Sequence, residues 1–475
     1  MERYDLIAIG GGTAGLVTAA GGASLGLKVA LVEREKLGGD CLWTGCVPSK
    51  ALISSAKLAH QMRQAEQLGL LGASPAHVFE SVMERMRETR ARVAHHDDPE
   101  RFRALGVDVV FGNAVVKSPK EVAVDGRILA SPRLVIATGS SPAVPPIPGL
   151  QDAGYLTHLD AFDQNTLPAR MVILGAGPIG LEFAQVYSRL GAKVTVFEMF
   201  PRVLPREDPE ASEAIREALA GEGIRIYTGT KVERVAADGT TGRKSVQGRT
   251  EEGEEVCIDT DEIFVATGRR PNGLDLGLES VGVELNQGAV KVDAALRSTL
   301  PGIWAAGDVA GGLQFTHVAD YQAKLVLRNA VFPFSSKANY DNIPWVTYTD
   351  PEVARVGLTE DEARQRERDI RVYRYGLADL DRAIVDGHDR GFVKIVTRPN
   401  GKILGASIVA FGAGELVMPV VLAMQNGLPL KKLSRTVFPY PTMSEGIKRT
   451  ADSYYREKFA GPSGDLLRRV VGWLK

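Results

Sequence analysis

Cys41 and Cys46 stand five positions apart in a glycine-rich stretch, GGDCLWTGCVPSK, and Lys50 follows Cys46 by one helical turn. Two thiols this close can close a disulfide and open it again, so the pair can hold or release two electrons. A helix beginning near Cys46 would place that sulfur at a helix N-terminus, where partial positive charge stabilises a thiolate. Lys50, at i+4, falls on the same helix face and sets a cation beside whatever Cys46 faces. The bland alternative is a buried pair of inert thiols. The flanking glycines and the motifs around them favour a redox-active dithiol.

A dithiol of this kind needs a source of electrons, and the chain carries two nucleotide-binding units. A strand, YDLIAIG, runs into Gly10-Gly11-Gly12-Thr13-Ala14-Gly15, and an apolar helix and a second strand, KVALVE, lead to Glu33. Gly10, Gly12 and Gly15 allow the tight turn and let backbone approach a pyrophosphate. The helix N-terminus offers N–H groups to the phosphates, and Glu33 can accept from a ribose diol. The unit recurs at MVILGAGPIGLEFAQVYSRLGAKVTVFE, with Gly175, Gly177 and Gly180 as the glycines and Glu198 as the acid. Gly10 to Glu33 and Gly175 to Glu198 are both 23 positions. Each unit also has a later echo, LVIATGSSP at 134–142 and IFVATGRRP at 263–271. One glycine run is weak evidence, whereas two with the same offset and the same echo point to a duplicated dinucleotide-binding architecture.

Composition fits without specifying. A length of 475 residues suggests two to four domains, and 57 Lys+Arg against 58 Asp+Glu gives no electrostatic case for a nucleic acid partner. Only three cysteines occur. A disulfide-scaffolded secreted protein is therefore not expected, and a reducing, cytoplasmic compartment is. The third, Cys257, reads as a small half-buried strand residue. The N-terminal apolar stretch is broken by its glycine turn, so neither a signal peptide nor a membrane span is read there. His95-His96-Asp97-Asp98 looks like a ligand cluster, but adjacent helical residues point apart, and no metal site is assigned.

The CxxxxC-VPSK stretch, with the two glycine units, resembles the flavin-dependent pyridine nucleotide–disulfide oxidoreductases over nearly the whole chain. That group includes dihydrolipoamide dehydrogenase, glutathione reductase and mercuric reductase. The resemblance implies an α/β fold of two doubly wound dinucleotide-binding domains plus a C-terminal α+β dimerisation domain. It places FAD on residues 1–150 with 276–340, NAD(H) on 151–275, and the interface of a homodimer with shared active sites on 341–475. Around the flavin it implies Lys50, Ala114, Thr138, Gly139, Ser140, Asp308 on the ribityl chain, and Thr316 near the ring. Glu182 matches the family glutamate that pairs with the active-site lysine. Val232 and Gly268 fall on the nicotinamide side. Glu198 would repel a 2′-phosphate, which favours NADH, although Arg202 nearby leaves NADP possible.

One departure bears on the substrate. Where lipoamide and glutathione reductases carry a histidine before Pro-Thr, FPYPTMSEG places Tyr440, with Glu445 downstream. A phenol near pKa 10 is a poor proton shuttle at neutral pH, while imidazole near 6.5 is well placed. Tyrosine here resembles mercuric reductase, in which a soft metal ion passes between thiolates. That enzyme typically ends in a cysteine pair, and GPSGDLLRRVVGWLK has none. Cys41 and Cys46 would then hold the metal alone. The expected substrate is a small disulfide or a thiol-bound soft metal ion. Dihydrolipoamide dehydrogenase is the alternative, and a quinone reductase using the flavin directly is a further one. The tail itself has an apolar stripe at helical spacing, with Arg468, Arg469 and Lys475 within it, that is expected to dock on its own protein, a membrane-surface or partner-binding helix being the alternative. Residues 51–105 read as a solvated helical hairpin.

Overall fold

In the computed structural model, which describes residues 1–73 and 78–474, the duplication seen in the sequence is a duplication of topology. The first parallel sheet orders its strands Ile303–Ala305, Leu134–Ile136, Leu6–Ile9, Val29–Glu33 and Val107–Phe111. The second orders Arg225–Tyr227, Lys193–Phe197, Arg170–Leu174 and Glu262–Val265. In both, the strand entering the glycine turn lies between the strand that leads to the acid and the strand that opens the ATG echo. These strands read as near-continuous Val, Ile and Leu because helices cover both faces of a parallel sheet. Leu6, Ile7, Ala8, Leu134, Val135 and Ile136 have no exposed surface.

Each sheet carries an antiparallel three-stranded meander. The first spans Ala114–Ser118, Glu121–Val124 and Arg127–Ala130, the second Thr230–Ala237, Lys244–Thr250 and Glu255–Thr260. The echoes themselves meet, because Ser140–Pro142 pairs antiparallel with Arg269–Pro271. Cys257 lies on the last meander strand and is exposed rather than half-buried. Its neighbours Val256 and Ile258 pack toward the core, and strand alternation turns Cys257 outward.

Helices Cys46–Arg63 and Phe79–Ala94 are not simply a solvated hairpin. Their inner faces bury Ala51, Leu52, Ala56, Phe79, Met83 and Met86 in one core with Phe183 and Tyr187 of helix Pro178–Arg189. A stripe repeating every three or four residues seals the redox helix against the second nucleotide unit, while the Arg and Glu residues take the outer face. The C-terminal region is an antiparallel five-stranded sheet, ordered Pro344–Thr347, Glu352–Gly357, Ile403–Ala410, Phe392–Thr397 and Arg371–Gly376. Helices Met418–Gln425, Leu430–Arg435 and Glu445–Ala460 pack on it around Leu416, Val420, Leu430 and Ile447. Among the described residues no helix is long and apolar enough to cross a membrane.

The tail departs from its expected docking. Helix Pro462–Trp473 follows Glu445–Ala460, yet Leu466, Leu467, Val470 and Val471 remain 64, 48, 48 and 49 % exposed. The tail is joined to the preceding helix by Arg468 Nη1, which donates to the Phe459 carbonyl at 3.1 Å.

Candidate active site

Cys46 opens helix Cys46–Arg63 after Gly45, as its first helical residue. Cys41 lies in the short helix Gly39–Trp43, and both thiols are free. Backbone N–H groups at a helix start have no partner within the helix, so the dipole adds positive potential at the Cys46 sulfur. A hydrogen bond from Cys41 lowers the Cys46 pKa to about 6; burial opposes it, and Thr316 and the Lys50 charge assist. Thr316 Oγ1 is 3.5 Å from the sulfur. The same contact with Cys46, then burial, pushes Cys41 upward. The pair titrates as a unit, its contact directing the negative charge toward Cys46 and the proton toward Cys41. Alkylation of the reduced protein by iodoacetamide should follow that ionisation. Below pH 6 Cys46 is protonated and slow, above it the thiolate dominates, and the rate should level off by about pH 7. A free thiol near 8.5 would still be accelerating there.

Lys50 Nζ donates to Glu182 Oε2 at 2.7 Å, and Glu182 Oε1 accepts from the Tyr348 N–H at 2.9 Å. Lys50 also lies over the Tyr348 ring, 4.5 Å from its centroid. Glu182 belongs to the helix that follows the second glycine turn. The first turn is tied in as well, through the Gly38 N–H bonded to the Gly11 carbonyl at 2.8 Å. Both nucleotide units thus touch the redox segment.

The two turns are built alike. A Cβ at Gly15 would lie 1.8 Å from the Gly10 oxygen, and one at Gly180 1.9 Å from the Gly175 oxygen. Only glycine lets helix and strand approach this closely. At Gly12 a Cβ would meet nothing nearer than 3.9 Å, and at Gly177 nothing within 4 Å. There the missing side chain leaves an open cradle over helix N–H groups, which fits a pyrophosphate. Glu33 Oε2 accepts from Gly11 N at 2.6 Å and Glu198 Oε2 from Ala176 N at 2.7 Å. Each acid is also bonded through its backbone oxygen to the chain entering the following meander, Glu33 by Gly112 N at 2.9 Å and Glu198 by Thr230 N at 2.9 Å. Ala114 and Val232 therefore occupy corresponding places, each two residues beyond that bond. Arg202 turns away to donate to the Pro205 carbonyl at 3.1 Å.

On the flavin side, Ser140 Oγ donates to Asp308 Oδ2 at 2.5 Å. Thr138 and Gly139 are held by Asn272, which accepts from Thr138 Oγ1 at 2.7 Å and donates its N–H to the Gly139 carbonyl at 3.0 Å. The Gly268 carbonyl accepts from Ala143 N at 2.9 Å. Sequence reasoning missed a cluster in the middle of this. Arg269 donates from Nε to Ser140 Oγ at 2.8 Å, binds Asp40 through Nη2, and has His158 Nε2 2.8 Å from Nη1. His158 Nε2 also lies 3.3 Å from Asp40 Oδ1. Burial acts upward on Asp40, but His158 and Arg269, with Thr44, hold its carboxyl well below the usual range. A signal for Arg269 was present, since it occupies in the second echo the place Ser140 has in the first. Nothing local marked Asp40 or His158.

Tyr440 and Glu445 stay within the C-terminal region. The Tyr440 hydroxyl donates to Asp381 Oδ2 at 3.0 Å, which raises its pKa, and the side chain is 67 % exposed. Glu445 is buried at the start of its helix, with Arg449 3.7 Å away.

Two nucleotide cradles meeting at one dithiol form an enzyme that moves electron pairs between a nicotinamide and sulfur. The chain belongs to the pyridine nucleotide–disulphide oxidoreductases, which it matches over residues 4–323, with the dimerisation domain of that family over residues 343–451. The family uses FAD and NAD(P)H. A mercuric reductase of Staphylococcus aureus is 34 % identical over 96 % of this chain and 83 % of its own length. A dihydrolipoyl dehydrogenase of Rhizobium etli is also 34 % identical, over 96 % of this chain and 99 % of its own. Among solved structures, the Cu(II) complex of the HOCl-induced flavoprotein disulfide reductase RclA from Escherichia coli is similar, with a TM-score of 0.84. It is 29 % identical, covering 95 % of this chain and 99 % of that one.

Proposed function

We propose that this protein reduces a thiol-bound soft metal ion, with mercury(II) the first candidate, at the expense of NADH. Tyr440 carries the reading. Its hydroxyl is committed to Asp381, and that carboxylate drives its pKa further from neutrality. Release of a thiol from a disulfide needs a proton delivered near pH 7, and this phenol cannot supply it. Reduction of a bis-thiolate places the same single proton, Hg(SR)2 and NADH giving Hg(0), NAD+, one RS− and one RSH, but the substrate first loads by passing thiolates between sulfurs of a soft ion, a step at which a poor proton donor costs less.

FAD bound over the first cradle would supply two-electron transfer between nicotinamide and dithiol. Gly10, Gly12, Gly15 and Glu33 would hold its adenosine diphosphate end, with Ala114 beside it, and Lys50, Thr138, Gly139, Ser140, Asp308 and Thr316 its remainder. Gly175, Gly177, Gly180 and Glu198 would hold NADH, with Val232 and Gly268 alongside. The turned-away Arg202 supports NADH over NADPH. In this assignment residues 1–150 with 276–340, 151–275 and 341–475 are the three domains. Cys41 exchanges ligands with the incoming metal thiolate, and Cys46 keeps the thiolate that faces the flavin. Lys50 and Glu182 fix the charge behind it. Tyr440 and Glu445 of a second subunit close the substrate side, in a cytoplasmic homodimer. A soft ion prefers such sulfurs to oxygen or nitrogen donors.

Dihydrolipoamide dehydrogenase is the second reading, favoured by Glu445, which is buried where a supported histidine would need its carboxylate. The test is NADH oxidation with Hg(II) in excess thiol beside oxidised lipoamide. Mercury-dependent turnover well above lipoamide turnover is expected, and the reverse would sink the metal reading. Tyr440→His should raise lipoamide turnover by about tenfold or more, within the contribution usual for one general acid.

A further inference from the structure

The helix Pro462–Trp473 lies beyond residue 451, where the dimerisation-domain match ends. Its join to the protein is defined. A Cβ at Gly464 would lie 1.9 Å from the Phe459 oxygen, so the turn closes only with glycine. Arg468 Nη1 donates to the same carbonyl at 3.1 Å. Phe459, Leu467 and Val471 border an open groove between the two helices and stay about half exposed.

The rest of the apolar side faces solvent. Leu466 is 64 % exposed, Val470 48 %, Trp473 93 % and Leu474 82 %. At about 100° per residue, the six apolar side chains from Leu466 to Leu474 occupy an arc of roughly 160°. Arg468 and Arg469 fall on the opposite arc with Asp465, to which Arg468 Nη2 donates at 2.6 Å; Lys475 follows in the sequence. Three cations against Asp465 alone give this short segment a net +2, whereas the whole chain is −1. Trp473 sits at the border of the two arcs, the position interfacial tryptophans favour. Twelve residues are too few to span a bilayer.

We propose that this helix lies flat in the headgroup layer of an anionic membrane, apolar arc inward, and holds the enzyme at the lipid surface. Apolar area and cationic flanks act together in such binding, and each is weak alone. A second copy suits the face less well, because two such segments carry the same sign of net charge and repel.

The FAD-loaded full chain would be floated with vesicles of phosphatidylcholine alone and of phosphatidylcholine with phosphatidylglycerol. Binding to the anionic vesicles only, weakened by added salt, is expected, with a blue shift of Trp473 emission. The double change Leu466→Ser and Val470→Ser should lower the partition coefficient at least tenfold. Arg469→Gln should lower it about fivefold. Both should leave FAD content and NADH oxidation with a dye unchanged. Failure to float with anionic vesicles, or floating unaffected by either variant, overturns the proposal. So does a drop in oligomeric mass of the serine variant without lipid, which would show that a second copy covers the face.

Discussion

Cys46→Ser should abolish metal- or disulfide-dependent NADH oxidation while sparing electron transfer to an artificial dye. The thiolate is the group that touches the reacting centre, and a serine hydroxyl at this helix start stays protonated at any working pH. A loss of at least about a thousandfold, roughly 4 kcal/mol of transition-state stabilisation, is expected. Dye reduction should remain within about twofold, because FAD and NADH contacts are untouched. Cys41→Ser should give the same split, since one sulfur cannot close a disulfide. The measurement is paired steady-state assays on each variant, with flavin content from absorbance. Retention of the sulfur-dependent activity in Cys46→Ser would show that the flavin passes electrons to the acceptor directly, as the quinone reductase alternative requires.

Gly180→Ala is the second large effect, and it separates the two nucleotide sites. The added methyl would stand 1.9 Å from the Gly175 oxygen, with the oxygen in backbone that cannot rotate away. The helix Pro178–Arg189 must shift from its turn, and overpacking of this kind costs about 1–3 kcal/mol. If most of that falls on the site, NADH affinity drops roughly ten- to hundredfold. Helix displacement would also disturb Glu182 and with it Lys50, so kcat should fall as well as KM rise. FAD content should be unchanged, since the first cradle has its own glycines. The check is NADH binding by titration on the purified holoprotein. Equal loss of FAD and NADH would mean that the substitution unfolds the chain rather than the site.

Much of the fold was legible because its strongest signals are local. A glycine turn followed by an apolar helix and a strand ending in acid is a continuous stretch of chain, and it was written twice. Cys41, Cys46 and Lys50 likewise fall within ten residues, so the closeness of the pair and the placing of Lys50 on the Cys46 helix follow from spacing. What local patterns misjudged was exposure. Alternation alone makes Cys257 a half-buried strand residue, yet it is exposed. Periodicity alone docks the tail stripe, yet Leu466 and Val470 stay exposed. Charge content alone makes the hairpin at 51–105 solvated, although Met83 and Met86 lie in the core. Each of these depends on which distant surface arrives opposite, and periodicity carries no such information.

The sequence by itself determined the redox pair, the two nucleotide cradles and the order of the regions, because each is set by backbone freedom and spacing over a few residues. The tertiary structure alone decided which distant groups join them. Cys46 owes its low pKa to Cys41 and Lys50 of its own stretch, and also to Thr316, 270 positions away. Asp40, His158 and Arg269 converge from three separate segments. Charge interactions fall off with distance through space and are indifferent to distance along the chain, so only the folded arrangement could assign them.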